Sequence, residues 1–305
     1  MGIKNIAVIG LGEMGSSIAT LLLKAGYTVK GFDIVEKKIF RLAPLGLNPG
    51  KSAYESVEGV DLIILSLMSW EIVQEVVYGR EGILKGARKG QIIVDTSTVP
   101  PWETKAMAAK LAKRGIEWMD VPISGSAAQA RVGNMVFMAG GKKSVFSKVK
   151  PVLDKIGKKV VHVGKNGDGA MLKIVVNTIL YLNQAAASEG FVLGLKAGLK
   201  PDVMFDVVTS GAASSDLIKS RGWDMLMGNF ESKGQMSTKS FDLALESARN
   251  LGVMLPMAAL SNQFRLQAFY SGWAECDGTV MMKVYEQLAG IKRRLRKEDS
   301  RGEAV

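Results

Sequence analysis

Lys173 and Asn177 stand four residues apart in the run Gly167-Asp-Gly-Ala-Met-Leu-Lys-Ile-Val-Val-Asn, a spacing that puts both on one helix face. An amine and a carboxamide on an otherwise apolar turn could do proton chemistry. Oxidising an alcohol to a carbonyl requires a base for the hydroxyl proton while hydride departs. A lysine can be that base once desolvation or a nearby cation lowers its pKa, and in the reverse direction its ammonium is the acid. The amide of Asn177 both donates and accepts, which suits it to orient a hydroxyl or carboxylate. Periodicity alone favours a plainer reading of Lys173, a solvated surface lysine. A second candidate is Asp120-Val-Pro-Ile-Ser124-Gly125-Ser126, whose hydroxyls and short backbone could hold a small carboxylate. It could equally be a plain turn.

A hydride needs a carrier, and residues 5–33 supply a place for one. An apolar strand, Ile6 to Ile9, runs into Gly10-Leu11-Gly12-Glu13-Met14-Gly15, then a helical pattern, a stop at Gly26, a second strand and Asp33. Gly10 permits the tight turn, Gly12 lets backbone N–H groups approach a pyrophosphate, and Gly15 lets the helix lie close to the strand. The pyrophosphate would rest on the positive end of the helix beginning near Met14. A lone GxGxxG is weak evidence; between strand and helix, with an acidic residue about 20 positions on, it specifies a dinucleotide. Asp33 would accept from both ribose hydroxyls and repel a 2′-phosphate, which favours NAD. Ile34 and Val35 follow it, although Lys37 and Lys38 could still reach a phosphate, so NADP stays possible.

Composition excludes other chemistries. The 305 residues are 47% hydrophobic and 23% charged, an ordinary globular balance large enough for two domains. The only histidine, His162, lies in VVHVG, where a core or strand-end role is expected, and the only cysteine is Cys276. One of each cannot build an ordinary zinc site, so no metal is expected, and an internal disulfide is impossible. The net charge of +11 falls partly in KRRLRKEDSR near the C-terminus and is otherwise scattered among acidic residues. Without an aromatic-interleaved basic stripe, nucleic-acid binding is the weaker reading. No apolar run reaches membrane-span length, and the first strand starts within five residues, leaving no room for a signal peptide. The expectation is a cytoplasmic protein.

The elements that must position these residues alternate. Strands are expected at 61–67, 91–95, 117–121, 135–139 and 160–163, with helices at 70–78 and 102–114. Continuous Val/Ile/Leu runs imply a parallel sheet covered on both faces, with room for mixed edge strands, a Rossmann-type doubly wound α/β domain over 1–164. Past Gly164 the pattern changes. Residues 168–196 read as one helix of roughly 40 Å at 1.5 Å per residue, followed by helices at 202–209, 214–227, 238–251, 256–271 and 279–291. An all-α domain over 165–292 and a frayed basic tail, 293–305, complete the chain. The apolar long helix needs more cover than one small domain offers, so a homodimer or homotetramer is expected.

Four segments in order resemble the 3-hydroxyisobutyrate dehydrogenase family of β-hydroxyacid dehydrogenases, relatives of 6-phosphogluconate dehydrogenase. They are GLGEMGSSIATLLLKAG, DVPISGSAAQARVGNMVFMAGG, GDGAMLKIVVN and TKSFDLALESARNLGVMLP. The resemblance spans residues 3–290. It implies Lys173 as the catalytic acid/base with Asn177 beside it, and substrate-carboxylate contacts at Ser124 and Gly125. It further implies coenzyme contacts at Leu67, Met68, Thr98 and Lys239. Hydride would pass between NAD and a small 3-hydroxy acid, giving a semialdehyde or keto acid.

The chain departs from the family pattern at Ser126 (usually glycine), Met68 (usually proline), Val176 (usually asparagine) and Ser240 (commonly aspartate). These argue against assuming 3-hydroxyisobutyrate itself as substrate. An NADPH-dependent reductase of glyoxylate, succinic semialdehyde or tartronate semialdehyde is the enzymatic alternative. An inactive scaffold or nucleic-acid-binding protein is the alternative outside enzymes. Lys173 argues against the scaffold and against an imine reductase.

Overall fold

The computed structural model describes residues 2–230, 236 and 238–292. The chain divides into two compact units, Met1–Lys173 and Ile174–Val305. The division lies inside the long helix, past the 164/165 boundary expected from the end of the strand–helix alternation.

The first unit begins with β1 (Asn5–Ile9), α1 (Glu13–Lys24), β2 (Thr28–Phe32), α2 (Glu36–Leu42), β3 (Asn48–Pro49), α3 (Ala53–Ser56), β4 (Leu62–Leu65) and α4 (Trp70–Tyr78). It continues with β5 (Ile92–Asp95), α5 (Pro101–Ala112), β6 (Glu117–Asp120), β7 (Ile123–Ser124), α6 (Ala127–Arg131), β8 (Val136–Gly140), α7 (Lys143–Leu153) and β9 (Lys159–Gly164). The sheet order is β3-β2-β1-β4-β5-β6-β8-β7, with β9 on β8. From β3 to β6 every pairing is parallel, whereas β8 runs antiparallel to β6 and β7.

Along β1, Ile6 and Val8 join one apolar cluster and Ala7 and Ile9 the other. Buried at every position from Ile6 to Ile9, the strand has both faces covered, which is why that stretch reads as a continuous apolar run. Leu62 and Ile64 of β4 divide from Ile63 and Leu65 in the same way. Each fully buried Ile, Leu or Val side chain among them contributes about 1.5–3 kcal/mol.

α7 has no counterpart in the sequence reading. It buries Val145, Phe146, Val149, Val152 and Leu153 along one stripe and carries Pro151 inside. Its solvent face is lysine-rich, and the proline disguises a helix long enough to cross between the parallel strands β8 and β9. The two-residue strands β3 and β7 are equally new, since they owe their existence to ladder partners rather than to propensity.

The helix α8 (Asp168–Lys196) has the expected ends and carries the chain into the second unit. There follow α9 (Pro201–Ser210), α10 (Asp216–Met227), α11 (Lys239–Leu251), α12 (Pro256–Ala268) and α13 (Met282–Leu288). The helix expected over 256–271 ends early in a π turn, Phe269–Trp273, where Gly272 takes φ 87°. A short 3₁₀ turn, Gly278–Met281, precedes α13. The core of this unit is built from Phe191, Met225, Phe230, Met281 and Met282. Among the described residues this unit has no strand, no helix is long and apolar enough to cross a membrane, and no group of three or more His, Cys, Asp or Glu could hold a metal. The basic segment 293–305 lies outside the described residues.

Candidate active site

The glycine loop closes at the carboxyl end of β1. Gly10 has φ 89°, a conformation open to glycine, and a Cβ there would overlap the carbonyl oxygen of Ser66. A Cβ on Gly15 would overlap the carbonyl oxygen of Gly10, so helix and turn touch backbone to backbone. Gly12 differs. It is the N-cap of α1 and brings no capping side chain, and a Cβ placed on it meets nothing within 4 Å. The N-terminus of a twelve-residue helix is thus left approachable, as a pyrophosphate requires. The loop fits a dinucleotide.

Asp33 follows β2 and is buried, with 8% of the residue exposed. Its Oδ2 accepts the N–H of Leu11 at 2.8 Å, and its Oδ1 accepts the N–H of Val35 at 2.9 Å. Lys38 Nζ lies 3.3 and 3.2 Å from the two oxygens. The carboxylate therefore braces the glycine loop.

After β4 the chain turns at Leu67, whose N–H donates to Ser97 Oγ at 2.9 Å, and the Ser97 N–H donates to Asp95 Oδ1 at 2.9 Å. Ser97 pins the segment holding Leu67 and Met68 to the end of β5. The sequence reading missed it, although a hydroxyl-rich DTST run closing a strand was the available signal. Leu67 and Thr98 are half-buried, and Met68 is exposed.

The segment expected to bind a carboxylate is divided by the structure. Ser124 ends β7 half-buried, and Gly125 follows with φ 152°. Ser126 caps α6: its Oγ accepts the Gln129 N–H at 3.3 Å, and its own N–H donates to Gln129 Oε1 at 2.8 Å. The Oγ and the N–H of Ser126 are both engaged in that reciprocal cap. At the far end of α6, Arg131 pairs with Glu13 at 2.6 Å and so links this segment to the glycine helix. Both side chains are largely exposed, which makes the pair a weak tie.

Asp120 ends β6, and 1% of it is exposed. Its Oδ1 accepts the N–H of Gly167 at 2.8 Å and its Oδ2 that of Ala170 at 2.9 Å. A buried carboxylate thus holds the entry to α8, satisfying N–H groups that a helix start leaves without partners. Burial pushes its pKa up to about 6 against those two lowering bonds.

Lys173 lies on the second turn of that helix. It is half-buried, and desolvation lowers its pKa to about 8, with no charged neighbour among the causes. A solvated surface lysine has no such shift. In the second unit, Asn177 is buried, and its Nδ2 donates to Ser240 Oγ at 3.0 Å. Ser240 therefore supplies a fixed partner where the family commonly has an aspartate. Lys239 is the first residue of α11 and half-buried.

His162 donates through Nε2 to the Gly141 carbonyl at 2.9 Å, and its ring packs on Phe146 at 4.8 Å between centroids. Cys276 is half-buried in the second unit.

Comparison with known proteins finds relatives along both parts of the chain. Residues 5–164 match the family described as the NAD binding domain of 6-phosphogluconate dehydrogenase. Residues 167–285 match the family described as NAD-binding of NADP-dependent 3-hydroxyisobutyrate dehydrogenase. A 2-(hydroxymethyl)glutarate dehydrogenase of Eubacterium barkeri is 36% identical over 94% of this chain and 96% of its own. A 2-hydroxy-3-oxopropionate reductase of Escherichia coli is 32% identical over 94% and 99%. The crystal structure of a 3-hydroxyisobutyrate dehydrogenase from Salmonella typhimurium superposes with a TM-score of 0.84 at 27% identity, covering 92% of this chain and 99% of that one. With both halves matched, full-length relatives above 30% identity and the nucleotide loop intact, the chain is an NAD(P)-dependent oxidoreductase acting on CH–OH groups and belongs to the 3-hydroxyisobutyrate dehydrogenase family of β-hydroxyacid dehydrogenases.

Proposed function

We propose that this enzyme interconverts a small 3-hydroxy acid and its semialdehyde or keto acid, with Lys173 as the general acid/base. The coenzyme, when bound, takes up or returns the hydride. Lys173 removes the hydroxyl proton in oxidation and returns it to the carbonyl oxygen in reduction. Asn177, held by Ser240, orients the substrate oxygen. Ser124 and the backbone at Gly125 receive the carboxylate, whereas Ser126 shapes that turn through its cap. Leu67, Met68, Thr98 and Lys239 would hold the nicotinamide half of the coenzyme.

The observation that carries this reading is the desolvated amine. A lysine with a pKa of about 8 is divided between both protonation states near neutrality, as a reversible proton shuttle needs. Relatives named as a 2-(hydroxymethyl)glutarate dehydrogenase and a 2-hydroxy-3-oxopropionate reductase suggest an acid with a hydroxymethyl or aldehyde carbon as substrate. The chemistry is symmetric, and reduction of such an aldehyde uses the same residues. The enzyme acts in the cytoplasm and assembles as a homodimer or homotetramer, the assembly being supported by exposed apolar residues of α8 such as Ile179 and Leu193. Absorbance at 340 nm on mixing the protein with NAD or NADP and a panel of hydroxy acids tests the proposal. No change with any acid, in a protein that binds coenzyme, would defeat it.

A further inference from the structure

A bare aspartate after the second strand of a dinucleotide fold accepts the ribose hydroxyls and turns away a 2′-phosphate by charge. Asp33 is not bare. The Lys38 ammonium lies within 3.3 Å of both carboxylate oxygens, and each oxygen also accepts a backbone N–H. The Asp33 side chain is 7% exposed and that of Lys38 is 39% exposed, so solvent, or a ligand, reaches the ammonium first. Around the pair, Ile34 is 89% exposed and Val35 45%, an open apolar rim. The helix α2 carries Lys37, Lys38 and Arg41 against Glu36 alone.

We infer that Lys38 sets coenzyme choice: its ammonium masks Asp33, and the ribose site therefore accepts NADP as well as NAD. With NAD the lysine swings off on its flexible stem and leaves the carboxylate to the two hydroxyls. With NADP it stays and turns to the phosphate, cancelling the repulsion that Asp33 alone would exert. Asp33 keeps its contact with Leu11 in both states. The inference rests on the coenzyme site proposed above and on nothing in the substrate chemistry, so binding tests it without turnover.

The measurement is the dissociation constants of NADH and NADPH, read from reduced-nicotinamide fluorescence, for the full chain and Lys38→Ala. Losing a hydrogen bond to a charged group costs about tenfold in affinity. NADPH should weaken by that amount in Lys38→Ala while NADH holds or tightens, raising the NADPH/NADH ratio of constants. A ratio within about threefold of the parent's overturns the inference, since one such bond is worth more than that; any larger rise supports it. If Lys38→Ala melts early, Lys38→Gln, which keeps the stem, is read by the same criterion. A parent that binds neither coenzyme overturns both the inference and the site it rests on.

Discussion

The Asp120 carboxylate accepts the backbone N–H of Ala170 at 2.9 Å, three residues before Lys173. With its second bond, to Gly167, it fixes the turn from which the amine projects. Asp120→Asn puts a donor where one of two N–H groups now donates. The turn then loosens, Lys173 regains water, and its titration moves from about 8 toward the ordinary lysine value. Turnover should fall by about tenfold or more, the cost of a lost charge-assisted bond, with coenzyme affinity retained. The pH profile of kcat distinguishes this from general damage, because damage alone leaves the limb in place.

Asp120 also links stability to pH. Burial raises its folded pKa to about 6, above the ordinary aspartate value of 3.8. The stability contribution is therefore full below about pH 4 and is lost as pH rises through 6. In Asp120→Asn this part of the slope disappears. Thermal melts across pH 4 to 7 should show a flatter profile for the variant than for the parent.

Lys173→Ala should lose at least about a hundredfold in turnover, the scale of general acid/base roles, while its affinity for coenzyme stays nearly intact. In the parent, oxidation should rise through a pKa of about 8 as the amine becomes neutral, and reduction should fall over the same range. Normal turnover in the variant would remove Lys173 from the mechanism.

Gly12 and Gly15 separate binding from folding. A methyl on Gly12 meets nothing within 4 Å, so Gly12→Ala should melt within about 1 kcal/mol of the parent yet bind coenzyme poorly. Gly15→Ala drives a methyl into the Gly10 carbonyl and should both melt earlier and bind poorly. Equal melts and equal affinities for the pair would contradict the backbone-contact account.

An open apolar groove of about 890 Å³ in the second unit is lined by Leu193, Gly194, Val203, Met204 and Val207, among others. If a second copy covers this face, light scattering should report a dimer or larger assembly at micromolar concentration. Leu193→Glu, at a position 72% exposed in the single chain, should shift the species toward monomer. A monomeric parent would refute the assembly.

The legible parts of this molecule were those with local signatures. The helices α4 and α8 announce themselves by apolar spacing and by the absence of proline, and β1 and β4 by uninterrupted apolar runs. Ser126-Ala-Ala-Gln129 carried the spacing of a capping box, yet its place inside a ligand motif drew it toward substrate instead. What stayed hidden needs distant partners. Nothing near Asp120 in the chain shows that its carboxylate meets the amides of 167 and 170, and no propensity pairs Lys38 with Asp33 rather than with solvent. The helix α7 was obscured because its surface lysines and Pro151 outweigh a stripe that only burial makes visible.

The bond from Leu11 to Asp33 has a kinetic consequence. Because the turn is already clamped, the conformational entropy of its residues is lost during folding rather than at nucleotide capture. The pyrophosphate meets a turn already set, so association should show no slow phase from ordering of that turn. Differences in affinity between coenzymes should then appear in how quickly they leave.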